Sequence, residues 1–202
     1  CSVLYKLVQE KGVTVMPFPI HTLETAPQGS RESLAKFTEN FGFLPYIAGA
    51  FAESPASLNG LLVFMSAFGA KEMSLSPVER QIVLLAASAL NRCEYCTAAH
   101  SMIASGRGVS RAEIKNLQGG LPLEDHKLEA LRRFTETIVE QRGWASDVDL
   151  KSFFEAGFTK AQVFEVIFGV ALKTLTNYAN HVAKTPVNEQ FADFIPNWED
   201  AA

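Results

Sequence analysis

Residues 76–100 read SPVERQIVLLAASALNRCEYCTAAH, and their pattern decides the fold. Ser76, Pro77 and Glu79 form a helix start: a capping hydroxyl, a proline where no amide hydrogen is missed, and a carboxylate at the third position that closes a capping box. An apolar run from Ile82 to Leu90 follows without a breaker. Asn91 is then a good N-cap for a second helix, which puts Cys93 in its first turn. On that helix Cys93, Cys96 and His100 are three and four residues apart and share one face.

The same punctuation recurs along the chain. Ser110 with Glu113 and Thr159 with Gln162 repeat the box, and Ser54-Pro55 has the cap and the proline. Gly42, Gly69, Gly106, Gly119-Gly120, Gly143 and Gly157 fall where helices should stop. Apolar residues return at three and four, as in Leu128, Leu131, Phe134 and Ile138, while alternation of period two is absent. The pattern predicts an all-α protein, with helices near 31–41, 45–52, 55–68, 77–90, 93–105, 111–118, 124–142, 147–156, 160–184 and 188–194. Prolines at 17, 19 and 27 make residues 1–29 an extended arm, leaving 30–202 as one helical domain. A loose likeness between 76–100 and 157–181, each ending in histidine, suggests two related halves.

Composition bounds the function. The 202 residues are 48% hydrophobic and 20% charged, as expected of a globular chain. A net charge of −4 lacks the basic excess that a nucleic acid or an anionic membrane attracts, so neither is expected as a partner. The longest uncharged stretch, Ser54 to Ala70, is shorter than the about 20 apolar residues of a membrane span and reads as a buried helix or a subunit interface. Three cysteines are too few, and odd in number, for a disulfide-stapled scaffold, which points to a reducing compartment and a cytoplasmic location. Residues 1–15 carry neither the charged start nor the apolar run of a signal peptide. Met16 is an alternative start, and neither that leader nor Cys1 is assigned a function.

The chemistry concentrates in Cys93, Cys96 and His100. A helix N-terminus favours a thiolate, and a neighbouring imidazole can take the thiol proton or stabilise the anion. A thiolate attacks peroxide oxygen to give a sulfenic acid, which a second cysteine three residues away can resolve to a disulfide. Two other readings stay open. The pair and His100 supply three zinc ligands with His181 as a fourth, or the cysteines are buried core residues. A thioredoxin-like site is excluded because it needs strands.

Ser76-Pro77-x-Glu79-x-x-Ile82-Val83-Leu84-Leu85-Ala86, followed by Asn91-x-Cys93-Glu94-Tyr95-Cys96-x-x-Ala99-His100, resembles the AhpD-like alkylhydroperoxidase branch of the carboxymuconolactone decarboxylase superfamily. The resemblance continues through Gly106, Ser110 and Glu113 and through Tyr178-Ala179-Asn180-His181 to Thr185-Pro186. It implies an all-helical fold in homo-oligomers (dimers, trimers or hexamers). It also implies a thiol-dependent peroxidase acting on hydrogen peroxide or organic hydroperoxides, with no bound cofactor or metal and an external dithiol as electron donor. In the family pattern Cys96 attacks, Cys93 resolves, and His100 joins a proton relay completed by a glutamate twelve residues before the first cysteine.

Here that position holds Gln81, which can hydrogen-bond but cannot accept a proton. Glu79 lies about 200° around the helix from it and reads as a capping residue. Glu79 and His181 remain relay candidates beside Gln81, with weaker peroxidase activity expected. Tyr95 stands where some members carry histidine. His21, His126 and the Arg132-Arg133 pair read as solvated. Lactone decarboxylation, the activity that names the superfamily, needs no redox cysteines and is the alternative enzyme reading. A non-enzymatic redox-sensing or zinc-binding oligomer is the other.

Overall fold

The computed structural model describes residues 18–198. Most of the expected arm, Cys1 and the Met16 start therefore lie outside the described residues. Within them every regular element is helical: α1 (Arg31–Phe41), α2 (Tyr46–Phe51), α3 (Pro55–Gly69), α4 (Pro77–Leu90), α5 (Glu94–Gly106), α6 (Arg111–Gly119), α7 (His126–Glu140), α8 (Asp147–Glu155) and α9 (Lys160–Ala183). Short 3₁₀ turns cover Gln28–Ser30 and Glu189–Phe194. The all-α expectation is borne out. No helix among the described residues is long and apolar enough to cross a membrane.

Capping chemistry sets the helix starts. Ser76 accepts from the Glu79 amide while Glu79 accepts from the Ser76 amide, and Ser146 with Asp149 and Thr159 with Gln162 repeat the exchange. The central element is α4, buried from Gln81 through Ala89. A helix apolar on all sides must be covered on all sides, and α4 packs against α5, α6, α7 and α9. One core forms where Ile82 and Leu85 meet Leu131, Phe134, Phe153 and Val166. A second gathers α1, α2 and α3 around Leu34, Phe37, Leu58, Phe68 and Leu172.

Gly169 is the crossing point of α9 with α3 and α4. A Cβ there would lie 2.7 Å from Val83 Cγ1 and 2.9 Å from Phe68 Cζ, so any side chain would have to displace both of these. Gly49 does the same for the chain entering the domain, whose His21 carbonyl would stand 2.7 Å from an added Cβ. His21 is not freely solvated as expected: its Nε2 lies 2.8 Å from a Glu53 carboxylate oxygen, and its amide donates to the Gly49 carbonyl at 3.1 Å.

Candidate functional site

The site begins at the link between α4 and α5. Asn91 ends α4 as its C-cap, not as the N-cap of the next helix. Arg92 follows in the left-handed region at φ 54°, and the Cys93 amide reaches back to the Ser88 carbonyl at 3.0 Å. Cys93 is thus itself the N-cap, with Cys96 in the first turn. The two-residue displacement arises because Arg92 occupies a conformation usually left to glycine, so no glycine marks the boundary. The guanidinium lies 5.3 Å from the Trp198 ring centre, which helps hold this turn.

Both thiols are free and buried, Cys93 at 1% and Cys96 at 3% exposure. Across from them runs the inner face of α9, where Lys173, Thr176, Asn177 and Asn180 replace the apolar residues a core helix would present. Asn180 Nδ2 donates to Cys96 Sγ at 3.2 Å and lies 3.8 Å from Cys93 Sγ. Thr176 Oγ1 is 3.8 Å from Cys96 Sγ. Asn177 accepts from Asn91 Nδ2 at 3.0 Å, tying the stripe to the α4–α5 link.

Behind the sulfurs a three-membered chain crosses the helices. Lys173 Nζ donates to His100 Nε2 at 2.7 Å. Lysine has no acceptor, so Nε2 must be the unprotonated nitrogen and Nδ1 must carry the hydrogen. Nδ1 lies 3.1 Å from Gln81 Oε1, which accepts that hydrogen. Burial and the Lys173 charge both hold the His100 pKa well below the ordinary histidine value, so the ring is neutral near pH 7.

The same ammonium acts on sulfur with the opposite sign. Burial raises the Cys96 pKa. Against it the Cys93 thiol, the Lys173 charge and the Thr176 and Asn177 side chains hold that pKa well below the ordinary thiol value. Cys93, the donor in the pair, is pushed up by its hydrogen bond to Cys96 and by burial. The arrangement favours the thiolate at Cys96 and the thiol at Cys93.

Lys173 is 3% exposed and enters none of the ion pairs among the described residues. A buried ammonium favours a nearby anion, and the Lys173 charge is one of the causes that lower the Cys96 pKa. Sequence reasoning missed this lysine. The available signal was the spacing of Lys173, Thr176, Asn177 and Asn180, four polar residues at three and four on the face where Val166 and Leu172 are core.

An open cleft of about 420 Å³ leads to this chain from the surface. Gln81, His100, Lys173 and Thr176 form its floor, and Phe41, Phe43, Met65, Met102 and Leu172 form its walls. Cys96 is not part of the cleft lining; its Sγ lies 3.8 Å from Oγ1 of Thr176, which is.

Gln81 and His100 are therefore joined to each other and to Lys173 on the helix whose polar stripe contacts the cysteines, whereas the other relay candidates are not. Glu79 is held by its capping box and by a 2.7 Å ion pair to Lys127. His181 is exposed on α9 and forms no hydrogen bond to the cluster. Tyr95 closes a different joint, donating to Asn188 Oδ1 at 2.7 Å beside Phe191. His126 is exposed as expected, but Arg132 is not. It is buried and bonds Glu129 at 2.7 Å and Glu136 at 2.6 Å, so it neutralises two carboxylates where a solvated face was expected. Among the described residues no group of three or more His, Cys, Asp or Glu is arranged to hold a metal ion.

Residues 59–122, which span most of α3 through α6 and contain the cysteine–histidine motif, match the carboxymuconolactone decarboxylase family. No curated protein matches the chain. Among solved structures it is similar to the AhpD core of an uncharacterized peroxidase-related protein from Ralstonia eutropha JMP134, with a TM-score of 0.77, 20% identity, and coverage of 88% of this chain and 96% of that one. A peroxidase-related protein from Silicibacter sp. TM1040 matches with a TM-score of 0.75 and 18% identity over 88% of this chain and 93% of that one. The debrominase Bmp8, as a cysteine-to-alanine variant in complex with 2,3,4-tribromopyrrole, matches with a TM-score of 0.74 and 13% identity over 94% and 99%. The family segment agrees with the resemblance to the carboxymuconolactone decarboxylase superfamily, and the fold is that of the AhpD core structure.

Proposed function

We propose that this protein is a thiol-dependent peroxidase that reduces hydroperoxides through a Cys93–Cys96 dithiol cycle. One observation carries the reading: the buried Lys173 ammonium has no carboxylate partner among the described residues and sits where it favours a Cys96 thiolate. The Cys96 thiolate attacks the terminal peroxide oxygen. The sulfur–oxygen bond forms as the oxygen–oxygen bond breaks, leaving Cys96 as a sulfenic acid and the rest of the substrate as an alkoxide. A proton from Lys173, held in place by the neutral His100, converts the alkoxide to the alcohol. The Cys93 thiol then attacks the Cys96 sulfur, and water leaves as the disulfide forms. An external dithiol, oxidised in turn to its own disulfide, restores both thiols.

Gln81 in this scheme does not move a proton. By accepting from Nδ1 it turns Nε2 toward Lys173, and the lysine takes the place of the carboxylate that the family pattern puts in the relay. Reduced protein mixed with cumene hydroperoxide and a dithiol should release cumyl alcohol, and C96S should release none. Alcohol release by C96S at the wild-type rate would overturn the reading.

A second reading has one observation in its favour: the debrominase with the same fold, set beside an aromatic-walled cleft that opens toward a thiolate. Attack of Cys96 on a ring bromine, followed by bromide displacement by Cys93, consumes the same two thiols and returns a protonated ring. Bromide release from 2,3,4-tribromopyrrole separates it from the peroxidase. Release of carbon dioxide from a carboxymuconolactone, or stoichiometric zinc surviving dialysis, would instead favour the decarboxylase or metal-binding readings. Two free cysteines suit a reducing cytoplasm. Self-association is proposed through the outer face of α9, where Phe164, Ile167, Leu175, Tyr178 and Val182 are exposed at helical spacing.

A further inference from the structure

The cleft above Lys173 is far larger than hydrogen peroxide requires. A small hydroxylic molecule needs about 30 Å³, whereas about 420 Å³ is open here, within the about 300–1,000 Å³ typical of small-molecule sites. Its walls are aromatic and aliphatic, a surface that binds hydrocarbon and gains nothing from peroxide alone.

The charges in the cleft are all of one sign. Arg80, Arg107 and Lys173 line it beside the neutral His100, and no Asp or Glu does, in a chain whose net charge is −4. Three of these groups are already engaged. Lys173 is bonded to His100 and faces the thiolate, and Arg80 donates to the Phe68 and Ala70 carbonyls at 3.1 and 3.0 Å. Arg107 is different. It follows α5 at the cleft rim, is exposed, and its side chain has no hydrogen-bond or ion-pair partner among the described residues. A guanidinium presents a planar fork of donors that fits a carboxylate.

Resting on the peroxidase reading, we propose that the preferred substrate is an organic hydroperoxide with an apolar, ring-sized body and a carboxylate at the far end. The body lies between Phe41, Phe43, Met65 and Met102, the carboxylate pairs with Arg107 at the rim, and the hydroperoxide group reaches Lys173 and Thr176 at the floor. Arg107 takes no part in the bond changes and serves only to orient and select.

The test uses binding and turnover in parallel on the full chain. Calorimetry with the unreactive carboxylate 4-isopropylbenzoate should show binding at least about fivefold tighter than neutral 4-isopropylbenzyl alcohol, the scale of a rim-exposed ion pair. In R107A the two should bind alike, and in R107E the order should reverse. The ratio of kcat/KM for 4-carboxycumene hydroperoxide over cumene hydroperoxide should fall in the same sequence. Equal binding of the two probes to the wild type, or a preference that survives R107A and R107E, overturns the carboxylate subsite even if both hydroperoxides turn over. A carboxylate preference in binding without turnover of any hydroperoxide leaves the subsite standing and refutes the peroxidase.

Discussion

Lys173 Nζ lies 2.7 Å from His100 Nε2, and this single contact orders the electrostatics of the site. It holds the imidazole neutral with its hydrogen on Nδ1, and it places a buried positive charge where a thiolate can balance it.

Replacing the ammonium with an isosteric apolar chain should undo this. In K173M the Cys96 pKa should rise, because the opposite charge that favours the anion is gone and burial now acts unopposed by it. In the wild type, the alkylation rate with iodoacetamide should hold its plateau as pH falls below the ordinary thiol value of about 8.5. In K173M it should already decline there. Superimposable pH profiles would remove Lys173 from the site's chemistry.

Gln81 accepts from His100 Nδ1 at 3.1 Å, so Q81E would put a carboxylate at hydrogen-bond distance from that nitrogen. An opposite charge there favours the imidazolium, and the His100 pKa, depressed in the wild type, should move up. Ring proton shifts followed by NMR across pH measure this directly. Peroxidase activity of Q81E should then respond to pH around the new value.

The two cysteines should separate by role. Treatment of C93S with one equivalent of hydroperoxide should leave Cys96 as a sulfenic acid, seen as a mass gain of one oxygen and trapped by dimedone. C96S should gain nothing, since its remaining thiol is pushed up by burial and stays protonated.

Gly169 should tolerate no side chain. An alanine Cβ would stand 2.7 Å from Val83 and 2.9 Å from Phe68, so G169A should lose about 1–3 kcal/mol of stability. The melting temperature should fall accordingly.

The outer face of α9 should matter for assembly and not for folding. Phe164 is 73% exposed and Val182 65%, so F164E combined with V182E should leave helicity unchanged while lowering the mass measured by light scattering.

The fold was legible because its signals are local. Ser76 with Glu79, and Thr159 with Gln162, bond within one turn, so four residues suffice to place each helix start. The Cys93–Cys96–His100 spacing was legible for the same reason. What could not be read was contact across elements. Gln81, His100 and Lys173 sit on three different helices, and only the packing of α4, α5 and α9 brings them within 3.1 Å of one another along the chain of bonds. His181 shares the helix of Lys173 but points outward, a difference of facing that depends on which side α9 buries. The Asn91 boundary was misplaced because Arg92 adopts a left-handed conformation with no glycine to announce it.

The most direct measurement is peptide mapping of fully reduced protein after one equivalent of cumene hydroperoxide, with thiols alkylated at quench. One disulfide joining Cys93 to Cys96 should form per peroxide consumed, with cumyl alcohol in equal amount. Both cysteines recovered as alkylated thiols, with the peroxide unspent, would contradict the proposed dithiol cycle.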